Sequence, residues 1–394
     1  MKAVVLAAGE GKRLRPFTET VPKVMLSIAN KPIIRYVIDA LEKTQIDEII
    51  IVVGYKKEVI MEYFKEYKKT KITFVTQDKQ LGTAHALLQA KNKVKGSFIV
   101  VPGDNIIDNK SISKLISDKS EYLILIKEHS HPSKYGVVFT EKEKLKKIIE
   151  KPKEEIGKFI STGIYKFPKS VFKTIEELSK KGKYSLTENV QEILNKGKNI
   201  NTILADNWMD IVYPWDLITV NETLISKIGN SKAGTLEKDV VIKGNVNISK
   251  DAKIYSGSYI VGPVIIGKGC EIGPNACIFP STAIGDNTVI YPFTEVRNSV
   301  IGRDCHIGSN SFIENSVIGQ AVKLKHNFSS TSGKSTTKIE NEFIELSDIG
   351  ALVGEDCMIG SHVVIDSGVI VGRKCKIESM KRIRKNIDSN SKVM

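Results

Sequence analysis

Hydrophobic and polar positions obey two different rules along this chain, and the change comes near residue 235. Before it, short apolar runs at residues 3–8, 49–53, 72–75, 98–101 and 122–126 predict buried strands. Between them the apolar positions take helical spacing. Pro32 stands at a helix start, followed by Ile33, Ile34, Val37, Ile38 and Leu41. Residues 84–90 open another helix after Gly82-Thr83. Strand and helix in alternation predict an α/β domain with a mostly parallel sheet. In such sheets ligands bind outside the carboxyl ends of the strands. The loop at Gly9 follows the first strand and Asp104 follows the run at 98–101, so both fall at that edge.

After residue 235 the period becomes six. Ile242, Ile248, Ile254, Ile260, Ile266, Ile272, Ile278, Ile284, Ile290 and Val296 recur without a miss. Ile301, Ile307 and Ile313 continue in a shifted frame, and Val353, Ile359, Ile365, Val371 and Ile377 resume near the end. A period of six suits neither a lone helix nor an alternating strand. It suits a parallel β-helix whose inward aliphatic residues stack coil on coil. The pattern resembles the hexapeptide-repeat left-handed β-helices, with three hexads to a coil. That resemblance implies a homotrimer built through the β-helix. The expected domains are residues 1–228 and 229–394. Residues 327–340 carry no hexads and read as a long polar loop, either functional or disordered.

Composition narrows the function. A chain of 394 residues with 41% hydrophobic and 26% charged residues is expected to be a globular protein of two domains. The net charge of +14 invites a nucleic-acid partner, but the cations are mostly lysine, spread along the chain with no aromatic interleaving. A solvated lysine surface that attracts anionic nucleotides is the simpler expectation, with no nucleic acid bound. The apolar run at 3–8 is too short for a signal peptide, and no run approaches the roughly 18 residues of a membrane span. All five cysteines lie beyond residue 269 with no CxxC pair, which predicts a reduced, cytoplasmic protein. Cys357 and Cys375 stand 18 residues apart, one coil, so they are expected side by side as free thiols.

The candidate chemistry begins at Leu6-Ala7-Ala8-Gly9-Glu10-Gly11-Lys12-Arg13-Leu14-Arg15-Pro16 and continues at Val21-Pro22-Lys23. Glycines let backbone N–H groups approach a ligand, and Arg13 and Lys23 add charge where a polyphosphate can sit. The composite resembles the signature of the sugar-1-phosphate nucleotidylyltransferases, whose fold is Rossmann-like. The resemblance assigns nucleotide binding to Leu6, Ala7, Ala8, Gly9, Gly11 and Lys12, and catalysis to Arg13 and Lys23. The segment Thr76-Gln77-Asp78-Lys79-Gln80-Leu81-Gly82-Thr83 resembles the base-recognition stretch of N-acetylglucosamine-1-phosphate uridylyltransferases. Gln77 then offers amide donor and acceptor to uracil, beside Gly82 and Thr83. His85, inside a helix, reads as structural.

Val101-Pro102-Gly103-Asp104 and Trp208-Met209-Asp210 resemble the metal motif of that family, which implies Mg²⁺ on Asp104 and Asp210. Gly136, Glu150, Lys151, Thr162 and Gly163 fall in segments resembling its sugar-binding stretches. The implied reaction joins a UTP or dTTP nucleotidyl group to a hexose 1-phosphate, N-acetylglucosamine 1-phosphate or glucose 1-phosphate, and releases pyrophosphate. Two departures matter. Lys12 stands where the family usually has threonine, and Ser161 where many members carry a sugar-touching asparagine. Other readings stay open. One is a non-catalytic regulatory subunit of the same layout. Another is a bifunctional enzyme that also acetylates glucosamine 1-phosphate. Lys323-Leu324-Lys325-His326 resembles the histidine element of that acetyltransferase, but the residues that follow depart from it. Acetyl transfer through His326 is therefore expected to be weak or absent.

Overall fold

The computed structural model describes residues 1–394 except 341. Its contacts divide the chain into two compact units. One comprises Met1–Glu10, Val21–Met25 and Pro32–Asp210; the other comprises Gly11–Thr20, Leu26–Lys31 and Ile211–Met394.

The first unit is built on one nine-stranded sheet. Its strands are β1 (Lys2–Ala7), β2 (Glu48–Val53), β3 (Lys71–Thr76), β4 (Phe98–Pro102), β5 (Leu123–Glu128), β6 (Gly136–Glu141), β7 (Lys144–Glu150), β8 (Phe159–Phe167) and β9 (Asn201–Leu204). Their order across the sheet is β3-β2-β1-β4-β8-β5-β9-β7-β6. The first four are parallel, as their unbroken apolar runs predict. Every residue of β2 is buried, which requires cover on both faces. On one side α1 (Ile33–Glu42) packs Ile34, Val37, Ile38 and Leu41 against Val5, Ile49 and Ile51. On the other, α2 (Thr83–Gln89) joins Val4, Ile50 and Val52 through Ala84 and Leu87.

Beyond β4 the sheet is mixed. Strands β6 and β7 meet antiparallel across Lys142 and Glu143, both at positive φ. Two such residues form the tight turn that a hairpin needs, so no crossover helix intervenes. Strand β8 is antiparallel to β4 and β5, while β9 returns parallel to β5.

The second unit contains three stacks of short parallel strands, with eight, nine and eight strands. Successive coils set Ile254 beside Ile272, Ile272 beside Ile290, Ile290 beside Ile307 and Ile307 beside Leu324. The hexad residues Ile248 to Ile377 form one continuous buried core. The shifted frame has a local cause, since the coils after Ile284 and Ile290 are one residue shorter. Several corners turn on positive-φ asparagines, and some of these bond between coils. Asn298 Nδ2 reaches Asn315 Oδ1 at 2.7 Å, and Asn315 Nδ2 reaches Ser332 Oγ at 2.8 Å. Helix α3 (Asp216–Ile225) covers part of one face, with Ile225 against Ile265 and Ala283.

The stretch expected as a polar loop is something else. Ser329–Ser330 still belongs to a coil, and Gly333–Ile339 pairs with Glu342–Ile349 as an antiparallel hairpin. Alternation of Thr337 and Ile339, both buried, with exposed Lys338 gives it one covered face. Cys357 and Cys375 occupy neighbouring coils in register, and both are free thiols. Burial pushes the Cys357 thiol up to about 12.

Candidate functional site

In the first unit the carboxyl ends of β1 to β4 are tied to one another by main-chain bonds. Gly103 N donates to Leu6 O at 2.8 Å, Tyr55 N to Ala8 O at 3.0 Å, and Gln77 N to Val53 O at 2.7 Å. The motif residues Leu6, Ala7, Ala8, Gly9, Gln77 and Asp104 thus leave from one edge. Gly9 has open space where a side chain could stand. Its absence of a side chain keeps that edge accessible rather than satisfying a steric demand.

Lys23 is the centre of charge at this edge. Its Nζ lies 2.6 Å from Asp104 Oδ2 and 3.3 Å from Asp210 Oδ1. Asp104 follows β4 through Gly103. Asp210 follows Trp208–Met209, which pairs antiparallel with Ile106–Ile107, so one small ladder brings both aspartates together. Burial pulls the Lys23 pKa down, but the Asp104 and Asp210 carboxylates outweigh it and hold it above the usual lysine range. The lysine is therefore a fixed cation.

The same geometry tests the fit for a divalent ion. Two carboxylates converge on one cationic centre and remain 29% and 17% exposed. Paired carboxylate oxygens open to further oxygen ligands suit Mg²⁺. Among the described residues no third acidic or histidine ligand joins them.

The segment expected to meet the base is equally ordered. Gln77 is 3% exposed, and its Nε2 donates to Gly82 O at 3.2 Å and meets His85 Nδ1 at 2.9 Å. Gly82 caps α2, and a Cβ on it would lie 2.6 Å from Tyr184 O. Thr83 Oγ1 accepts from Leu186 N at 3.0 Å.

The residues expected at the sugar divide in two. Gly136 and Glu150 are register partners on β6 and β7, and a Cβ on Gly136 would lie 3.4 Å from Glu150 Oε2. Lys151 continues from them at positive φ, with its N–H on Tyr135 O at 3.0 Å. Thr162 is buried, and its hydroxyl donates to Leu125 O at 2.8 Å. Gly163, at φ 75°, faces the Pro102 ring. Ser161 Oγ bonds the Tyr165 hydroxyl at 2.9 Å.

Sequence reasoning passed over His129. Its ring packs edge-on to Tyr135, which packs on Trp208 two residues before Asp210. Burial lowers its pKa. Nothing in His129-Ser130-His131 marks it, because its relation to Asp210 arises only in three dimensions.

In the second unit Gly11, in left-handed conformation, starts the single 3₁₀ turn Lys12–Leu14, and its carbonyl accepts from Leu14 N and Thr18 Oγ1. Arg13 Nε lies 3.4 Å from Glu340 Oε2, at the hairpin tip, and its guanidinium stands 6.0 Å from the Tyr213 ring centre. The Tyr213 hydroxyl donates to Glu342 Oε2 at 3.1 Å. No sequence signal linked positions so distant along the chain. His326 is exposed at a coil corner, where its carbonyl accepts from His362 N at 3.0 Å.

Residues 2–227 match the nucleotidyl transferase family, residues 242–334 the GMPPB C-terminal domain, and residues 351–379 the hexapeptide repeat of succinyl-transferase. Across 99% of its length the chain is 35% identical to the bifunctional protein GlmU of Methanocaldococcus jannaschii, covering 97% of that protein. It is also 35% identical to a bifunctional sugar-1-phosphate nucleotidylyltransferase/acetyltransferase of Sulfurisphaera tokodaii, with 96% of each chain covered. Over 55% of its length it is 36% identical to the UTP–glucose-1-phosphate uridylyltransferase AglF of Haloferax volcanii, covering 93% of that protein. Among solved structures, one from Bacillus anthracis described as a glucose-1-phosphate thymidylyltransferase matches with a TM-score of 0.53 and 27% identity. The match covers 59% of this chain and 98% of that one. No helix among the described residues is long and apolar enough to cross a membrane.

Proposed function

Because the chain belongs to the nucleotidyl transferase family, we propose that it transfers a nucleotidyl group from UTP or dTTP to a hexose 1-phosphate. The acceptor is N-acetylglucosamine 1-phosphate or glucose 1-phosphate, the product a nucleotide sugar, and pyrophosphate leaves. The observation that carries this reading is Lys23 held between Asp104 and Asp210 at the strand ends. The names of these relatives, two of them matched over nearly the whole chain, support the substrate class.

In the reaction a phosphate oxygen of the sugar phosphate attacks the α-phosphorus. The bond from that phosphorus to the bridging oxygen breaks, and the electron pair leaves with pyrophosphate. The nucleophile is already an anion, so no general base is needed. Catalysis rests on positioning and on neutralising charge. Lys23 supplies a permanent positive charge at the strand ends, and Arg13 a second one toward the triphosphate. Leu6, Ala7, Ala8, Gly9, Gly11 and Lys12 form the strand end and loop that receive the nucleotide, with Gln77, Gly82 and Thr83 at the base. Gly136, Glu150, Lys151, Thr162 and Gly163 frame the sugar phosphate, Glu150 accepting hydroxyl hydrogen bonds. Asp104 and Asp210 would hold Mg²⁺, which would neutralise phosphate charge when bound. The catalytic domain spans residues 1–228 and the β-helix 229–394. The setting is cytoplasmic and the assembly a homotrimer through the β-helix.

Pyrophosphate release measured across a panel of nucleotides and sugar phosphates tests the reading. Turnover with a uridine or thymidine nucleotide supports it, and no turnover with any pair assigns the chain to non-catalytic regulation.

A second reading is favoured by the full-length match to relatives named bifunctional. In it His326, exposed on its coil, serves an acetyl transfer to glucosamine 1-phosphate. Acetylation from acetyl-CoA that disappears in His326→Ala supports that activity, and no acetylation in the wild type removes it.

A further inference from the structure

We infer that His85 is a specificity-determining positioning residue: its imidazole locks the Gln77 amide so that only the amide oxygen is offered to the base. The inference deepens, and rests on, the reading of Gln77 as the residue that meets the nucleobase.

A glutamine amide carries two donor hydrogens and one acceptor oxygen, and a free amide can present either end. Here the orientation is fixed from two sides. Gly82 O lies 3.2 Å from Nε2, and a carbonyl can only accept. That carbonyl also takes the first helical bond of α2, from Ala86 N at 3.0 Å, so it is held by the helix. The second amide hydrogen meets His85 Nδ1 at 2.9 Å. The imidazole must therefore accept at Nδ1 and carry its own hydrogen on Nε2. Nε2 faces the Gln89 amide nitrogen at 3.4 Å, past good hydrogen-bond distance. The ring is held by an edge contact with Tyr184, 5.8 Å between centroids, and sits in the first turn of α2.

Both donor hydrogens of Gln77 are thus spent inside the protein. Among the described residues no hydrogen bond reaches its Oε1, nor is that oxygen one of the buried atoms left without a partner. A lone acceptor complements the N3–H of uracil or thymine. Cytosine carries an unprotonated nitrogen there and sets acceptor against acceptor. Without His85 one amide hydrogen is freed, the amide can turn, and cytosine gains a donor. Discrimination then lies in the pair, not in Gln77 alone.

The test is the ratio of kcat/KM for UTP to that for CTP. His85→Phe keeps an aromatic ring against Tyr184 and removes the acceptor. His85→Asn places an amide oxygen close to where Nδ1 stood. The ratio is expected to fall about tenfold in His85→Phe and to stay within about threefold of wild type in His85→Asn. Thermal unfolding confirms that both variants are folded, and should His85→Phe not fold, His85→Leu replaces it. A ratio unchanged in the folded acceptor-less variant overturns the proposal, and so does an equal fall in His85→Asn. Gln77→Ala separates this failure from the failure of the underlying reading. If Gln77→Ala leaves the ratio unchanged, Gln77 does not read the base. If Gln77→Ala collapses the ratio while His85→Phe does not, only the role of His85 is lost.

Discussion

Among the single residues proposed for the chemistry, the charged ones were the most legible. Lys23, Asp104 and Asp210 stand in separate motifs, yet the fold brings them within 3.3 Å contacts. Asp104→Asn removes half of the anionic pair, so kcat is expected to fall at least about 10²-fold while nucleotide affinity changes far less. Steady-state kinetics check this, and excess chelator is expected to act in the same direction. Thr162 shows where motif matching stops. Its hydroxyl bonds Leu125 O and Ile164 N, so it shapes its own segment from within. Hydroxyl partners are set by rotamers and by chain crossings that a linear motif does not encode. Glu48 is a case of pure stability. Lys2 Nζ at 2.8 Å and the Thr73 hydroxyl at 2.7 Å hold its carboxyl near 2, below the ordinary 4.5. A depressed acid stabilises the fold above its unfolded pKa and loses that contribution as pH falls. Stability is therefore expected to decline between about pH 4.5 and pH 2. Glu48→Gln should flatten that part of the profile at a cost of about 1–2 kcal/mol at neutral pH, read by urea unfolding against pH.

At the level of elements, five apolar runs foretold β1 to β5 and their boundaries within a residue or two, whereas no run pointed to β6 to β9. Strand β2 reads Glu48–Val53 in the structure against 49–53 in the sequence pattern. Periodicity did not say how strands pair, and the antiparallel half of the sheet turns on Lys142 and Glu143, neither of which is a customary turn residue. Residues 327–340 read as a loop because threonines, serines and lysines dominate them, yet they include the first strand of the hairpin. Its strand character comes from pairing with itself, and its tip carboxylate reaches Arg13 across 327 sequence positions. The α2 entrance depends on a close approach. A Cβ at Gly82 would meet Tyr184 O at 2.6 Å, a backbone atom that cannot rotate away. Gly82→Ala is expected to cost about 1–3 kcal/mol. It should also raise KM for UTP more than KM for the sugar phosphate, because it displaces the carbonyl that holds Gln77. Chemical denaturation and the two KM values check both parts.

Across the whole molecule the change of pattern near residue 235 was the plainest signal, since a period of six needs no tertiary information to be seen. The structure stacks those aliphatic positions into one continuous core. Close stacking makes each of them costly to truncate. Ile272, fully buried between Ile254 and Ile290, is expected to lose about 3 kcal/mol as Ile272→Ala, read as a lowered unfolding midpoint. Function at this scale depends on whether the proposed catalytic charges and the proposed base-reading segment serve one reaction. Coupled detection of pyrophosphate and nucleotide sugar, with UTP, N-acetylglucosamine 1-phosphate and Mg²⁺, tests that claim most directly. Equimolar release of the two products is expected, lost in Lys23→Met and Asp104→Asn. Folded protein that yields no pyrophosphate with any uridine or thymidine nucleotide and any hexose 1-phosphate would contradict it.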